Sequence, residues 1–233
     1  MPPLVRSIVR FYQSSIGKKV VVALTGVVMI LFVIGHLLGN LLVFAGPEML
    51  NAYAKKLSDL GPLLWAVRMG LLAAVVLHIV ATAQLYIANK IARPVPYTVD
   101  AKREATRPGL TMVWSGVTIL AFLVYHLMHF TWGVANDYYN PANTRYFLPN
   151  GDHNVYNMVV DGFNWMPASL FYIVAMGLLF MHLSHGFASV FQTLGLTTPK
   201  SRPAIELTGK SVALALFAGN CLMPLAIMAG WVK

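Results

Sequence analysis

Residues 20–45 read VVVALTGVVMILFVIGHLLGNLLVFA, a run without a single Asp, Glu, Lys or Arg. About 20 apolar residues are enough for a helix to cross roughly 30 Å of hydrocarbon, so this run reads as a membrane span. Four more stretches of the same kind follow, at 63–88, 110–135, 167–195 and 211–231. The punctuation agrees with the hydropathy. Lys18 and Lys19 precede the first span and Gly46-Pro47 ends it, Gly61-Pro62 opens the second, Pro108-Gly109 the third, and Pro167 stands near the start of the fourth. Lipid offers no partner to a bare N–H or C=O, and the runs lack the period-2 alternation of barrel strands, so the expected fold is all-α: a polytopic five-helix membrane protein forming one domain over residues 1–233. Pro224 is expected to kink the last helix.

Composition supports the same solvent. The 233 residues are 58% hydrophobic and 11% charged, against roughly 45–50% and about 25% for soluble domains. Only one cysteine, Cys221, is present, so an internal disulfide, a CxxC metal cradle and a CxxCH attachment site are all excluded. Neither G-x-G-x-x-G nor G-x-x-x-x-G-K-[ST] occurs, which leaves no dinucleotide or nucleoside triphosphate site to argue. Substrate chemistry is expected on another chain.

Orientation follows from the bases, which short cytoplasmic loops carry in excess. The N-terminal arm (Arg6, Arg10, Lys18, Lys19), the 89–108 loop (Lys90, Arg93, Lys102, Arg103, Arg107) and the 196–210 loop (Lys200, Arg202, Lys210) hold twelve of the seventeen. The opposite side has Lys55, Lys56, Arg145 and Lys233 and five of the eight acids. The N-terminus is therefore expected inside and the C-terminus outside. The net charge of +9 reflects topology, and because the bases are spread over three loops without interleaved aromatics, no nucleic-acid partner is expected.

Six of the seven histidines fall within spans: His36, His78, His126, His129, His182 and His185. Ionisable or metal-ligating side chains inside a membrane are costly enough to be functional hypotheses by default, although each one alone reads equally well as a packing residue. Depth organises the set. His36 lies ten residues before Gly46 and His126 ten before Asn136, about 15 Å below the outer boundary at 1.5 Å per residue. His78 lies sixteen after Pro62 and His182 fifteen after Pro167, about 23 Å below it. Two imidazoles at equal depth on different helices suit the axial positions of a low-spin haem iron. The expected pairs are His36 with His126 at an outer haem and His78 with His182 at an inner one. His129 and His185, three residues further along and so roughly 5 Å off those depths, read as haem neighbours, with a swap for His126 or His182 as the alternative.

Other readings fare worse on spacing. A zinc or copper site would want three or four ligands at one depth, and no span carries Asp or Glu in its apolar core. Gly35, Gly39, Gly116, Gly177 and Gly186 near the histidines suit either a flat macrocycle or ordinary helix packing. Trp65, Trp114, Trp132, Trp165 and Trp231 lie near span ends, as interface anchors do.

Several blocks then resemble a known family. They are Ser14-Ser15-Ile16-Gly17-Lys18-Lys19 through Ala23-Leu24-Thr25-Gly26 to Gly35-His36-Leu37 and Gly39-Asn40-Leu41, then Asn51-Ala52-Tyr53-Ala54, Met112-Val113-Trp114-Ser115-Gly116 with Tyr125-His126-Leu127, and His182-Leu183-Ser184-His185-Gly186 with Gln192-Thr193-Leu194-Gly195. Together they resemble the type B succinate dehydrogenase/fumarate reductase cytochrome b subunit, a single-subunit, di-haem anchor, over nearly the whole chain. The resemblance implies two b-type haems with His36, His78, His126 and His182 as axial ligands. It also implies a flavoprotein and an iron–sulfur partner on the cytoplasmic face, menaquinone as the substrate in the membrane, and residence in a bacterial cytoplasmic membrane. The chain itself would be the electron-transfer and quinone-reacting subunit, with succinate oxidation on its partners. Some members carry a glutamate two residues before the fourth ligand; here that position is Phe180, so a proton path of that kind is not implied. A quinone carbonyl needs a hydrogen-bond donor at the membrane edge, and Ser14, Ser15, Lys19, Gln84 and Arg93 are the candidates at the inner edge. An anchor for another quinone-linked dehydrogenase, or a non-redox five-helix protein, would share the same hydropathy.

Overall fold

A computed structural model describes residues 2–92 and 107–233. The chain opens with α1 (Pro3–Gln13) and breaks at Ser14, whose backbone is extended (φ −73°, ψ 154°), before α2 (Ser15–Asn40) begins. A tight turn at Leu41–Ala45 prolongs α2, and Gly46 at φ +98° redirects the chain into α3 (Pro47–Ser58). That positive φ is available to glycine at little cost. Then come α4 (Pro62–Ile91), the short α5 (Arg107–Leu110) and α6 (Met112–His126), which ends in a wider π turn over Leu127–Thr131. A loop with one 3-10 turn (Thr144–Tyr146) leads to α7 (Val155–Asn164), α8 (Met166–Thr193) and α9 (Arg202–Met228).

Five of these segments are long and apolar enough to cross a membrane: Ser15–Ala45, Pro62–Ile91, Met112–Thr131, Met166–Thr193 and Arg202–Met228. Their number and order match the sequence reading, while some ends differ for identifiable reasons. The last helix starts nine residues before the apolar run, because an Arg202–Glu206 pair (2.9 Å, i,i+4) supports a polar first turn that hydropathy cannot register. The third ends at Thr131 because Gly133 takes φ +61° and Asn136 Nδ2 donates to the His129 carbonyl (3.0 Å). α9 runs on through Pro224 to Met228.

Burial is distributed unlike that of a soluble bundle. Only 6% of the most apolar stretch of α4 is buried inside the protein, against 39% for α9. α9 packs on α8, α6 on α8, and α4 chiefly on α2. The main core lies at one end, where α3, α7 and the 132–154 loop close over the bundle and bury Val43, Leu50, Tyr156, Phe163 and Ile227 among others. This is the capped end. The other carries Lys18, Lys19, Lys90, Lys200 and Lys210, and is the basic end.

Polar bonds hold the cap together. Buried Asn51 on α3 donates to Asn154 Oδ1 (3.0 Å) and accepts from the Tyr156 N–H (2.9 Å), while Asn154 also caps α7 through the Asn157 N–H (3.2 Å). Arg145 grips Asp161 with two nitrogens, and the Tyr146 hydroxyl donates to the same carboxylate (3.1 Å). The Arg145 bond holds the Asp161 carboxyl below its ordinary range, and burial pushes the Tyr138 phenol up to about 12. His153, the histidine outside the spans, donates to the Tyr138 carbonyl (2.9 Å) and stacks on Tyr139. All five tryptophans are exposed, as interface anchors require.

Candidate functional site

α2 and α6 each bring one histidine to a level near the capped end. The His36 and His126 rings stand with centroids 5.7 Å apart and planes at 89°. Two imidazole nitrogens, each bonded to a shared metal at about 2 Å, would put ring centroids roughly 6 Å apart. A ring nitrogen's lone pair lies in its own plane, so perpendicular rings can still aim at one point between them. Phe32 stacks on His36 at 5.3 Å. The Tyr172 hydroxyl on α8 lies 3.1 Å from His126 Nδ1 and 3.3 Å from His129 Nδ1. One hydroxyl can accept from His126 Nδ1–H and donate to His129 Nδ1, which frees Nε2 of His126 to face His36.

The second level lies toward the basic end, where α4 and α8 carry His78 and His182. Each of these two rings is held by a hydroxyl from a neighbouring helix. Thr25 Oγ1 lies 3.1 Å from His78 Nδ1, and Ser115 Oγ lies 3.0 Å from His182 Nδ1. Both hydroxyls already spend their proton on their own helix, Thr25 on the Val21 carbonyl (2.7 Å) and Ser115 on the Met112 carbonyl (3.1 Å). The oxygens are therefore left to accept Nδ1–H, and that choice leaves Nε2 of both histidines bare. A glycine follows each hydroxyl: a Cβ on Gly26 would meet His78 Cε1 at 3.7 Å, and one on Gly116 would meet His182 Cε1 at 3.7 Å.

The His36 and His126 rings are therefore adjacent, with His129 sharing Tyr172 with His126, while His78 and His182 are each held by a hydroxyl of a neighbouring helix. No group of three His, Cys, Asp or Glu side chains converges among the described residues. With Nε2 left bare and glycines alongside two of the rings, these imidazoles would suit the holding of a haem iron.

Sequence reasoning missed Thr25, Ser115 and Tyr172. A signal for the first two was present. Thr25-Gly26 precedes His36 by eleven residues, and Ser115-Gly116 precedes His126 by the same interval. Eleven residues are about three helical turns, so hydroxyl and histidine share one face of α2 and again of α6. Tyr172 had no such marker. Among the other glycines, a Cβ on Gly39 would run into Tyr53 of α3 (2.5 Å), one on Gly177 would only touch Phe217 (3.9 Å), and Gly35 and Gly186 have open space.

The edge candidates separate. Lys19 lines a cavity of about 540 Å³ with Ile16, Ser189, Gln192 and Thr193, between the start of α2 and the end of α8. Ser14 is occupied in the α1–α2 corner, Gln84 Oε1 accepts from the Tyr12 hydroxyl (3.2 Å), and Ser15 is exposed. Arg93 lies outside the described residues. A second cavity of about 320 Å³ at the capped end is lined by Tyr125, His129, Ala135, Asn136, Tyr138 and Trp165. Comparison with family models, curated proteins and solved structures finds nothing that matches the chain.

Proposed function

We propose that the chain is the di-haem cytochrome b anchor of a succinate:menaquinone oxidoreductase, relaying electrons from an iron–sulfur partner to quinone in a bacterial cytoplasmic membrane. The observation that carries this reading is the approach of His36 and His126, from two different spans, with ring centroids 5.7 Å apart, while His78 and His182 on two other spans are each held through Nδ1 by a hydroxyl. The sequence blocks around those histidines add the resemblance to the family. When bound, the haems supply one-electron Fe(III)/Fe(II) cycling at two points across the bilayer.

The chain's own residues then have distinct tasks. His36, His126, His78 and His182 would hold the haem irons, and Thr25, Ser115 and Tyr172 hold those rings in the tautomer that leaves Nε2 bare. The spans give a low-dielectric sheath that keeps water from the metal positions. With the basic end facing the cytoplasm, as the positive-inside bias indicates, the His78/His182 level is nearer the partner subunits. Lys19 can donate to a quinone carbonyl in the adjoining cavity, whose volume suits a ring headgroup.

The test is a reduced-minus-oxidised absorption spectrum of the purified complex. Two b-type haems are expected, with His36→Ala or His126→Ala losing one and His78→Ala or His182→Ala losing the other. A spectrum without haem bands refutes the reading. Companion chains that oxidise formate or hydrogen instead of succinate would move the anchor to another dehydrogenase.

A further inference from the structure

The first eleven-residue helix has no place in the electron path, yet its two faces are sharply sorted. At 100° per residue, Leu4, Val5, Ile8, Val9, Phe11 and Tyr12 of α1 fall on one side, while Arg6, Ser7, Arg10 and Gln13 fall on the other. None of its residues is buried, and Leu4 and Ile8 are 72% and 58% exposed. A built corner fixes its direction. Ser14 Oγ donates to the Phe11 carbonyl (2.6 Å) and accepts the Gly17 N–H (2.9 Å). The chain folds back so closely that a Cβ on Gly17 would lie 1.9 Å from the Phe11 oxygen. Rotation is fixed as well: Tyr12, on the apolar side, reaches Gln84 near the basic end of α4.

That bond turns the apolar face toward the bundle and the hydrocarbon boundary, and turns Arg6 and Arg10 away. We infer that α1 is an in-plane membrane-surface helix, its apolar face sunk into the cytoplasmic leaflet and its arginines, with Lys18 and Lys19, drawn to anionic lipid headgroups. Charge favours this occupant, since four bases lie in the first nineteen residues without an acid among them. A protein seated on the cytoplasmic side would meet the arginine face and leave the apolar one to lipid.

The inference rests on the membrane reading and not on haem, so it can fail alone. The intact complex is placed in nanodiscs of phosphatidylcholine mixed with phosphatidylglycerol, with nitroxide labels at Leu4→Cys, Ile8→Cys or Arg6→Cys in a Cys221→Ala background. Labels at 4 and 8 are expected to be relaxed by dissolved oxygen and shielded from an aqueous nickel chelate, with the reverse at 6. Nickel access at 4 and 8 would place α1 in water, and shielding of both from either reagent would mean that protein covers the face; each result overturns the inference. Arg6→Gln with Arg10→Gln should lower the phosphatidylglycerol retained by the complex, and unchanged retention would remove the anionic preference.

Discussion

The proposed haem chemistry turns on single ring nitrogens. His78 and His182 are aimed by oxygen atoms three helical turns from the next histidine on their respective helices, Thr25 from His36 and Ser115 from His126. An acceptor at Nδ1 makes an imidazole a stronger donor through Nε2 and favours the oxidised metal. On the di-haem reading proposed above, Thr25→Val and Ser115→Ala should therefore raise the midpoint potential of the inner haem and leave the outer one in place, whereas Thr25→Ser should behave as wild type. Tyr172→Phe should act on the outer haem alone, because its hydroxyl touches His126 and His129 and neither inner histidine. A potentiometric titration followed at the two haem bands checks all four variants. Equal shifts at both levels would contradict the assignment of hydroxyls to levels.

At the scale of elements, corners and staples do what propensity cannot. α1 and α2 would read as one continuous helix but for Ser14, and Gly17 permits the approach of backbone to backbone that the bend needs. In Gly17→Ala the new methyl has nowhere to go. Overpacking of this kind costs about 1–3 kcal/mol, and the corner should open, with faster tryptic cleavage at Arg6 and Arg10 as the readout. At the other end Asn51 joins α3 to the start of α7. Asn51→Ala strands the Tyr156 N–H in a buried setting, a loss of about 1–3 kcal/mol, visible as a lower thermal midpoint of the detergent-solubilised protein. The π turn after His126 belongs to the same scale. It carries His129, which shares Tyr172 with His126.

For the molecule as a whole, lipid replaces the core over much of the bundle, and conventional burial is concentrated in the cap. Acid sensitivity should therefore begin there. The Asp161 carboxyl is held below its ordinary range by Arg145, so its contribution is complete above the unfolded value of about 4 and is lost as pH falls through the lower folded value. Proteolysis of the 132–154 loop should accelerate as pH drops below about 4. In Asp161→Asn the loop should already be cleaved faster at neutral pH, and its cleavage should change less with acid. An unchanged acid profile in the variant would assign the sensitivity elsewhere.

The sequence by itself determined the five spans and their order, because hydropathy is a property of a chain read locally. It also held the Thr25/His36 and Ser115/His126 spacing, legible once the value of a hydroxyl there is known. The tertiary structure alone decided which atom faces each ring nitrogen, that Tyr172 bridges two histidines, that Asn51 staples the cap and that α9 begins in polar sequence. Each of these joins residues on different segments or weighs a local pair against hydropathy. No periodicity records such a contact, since it exists only after the helices have packed.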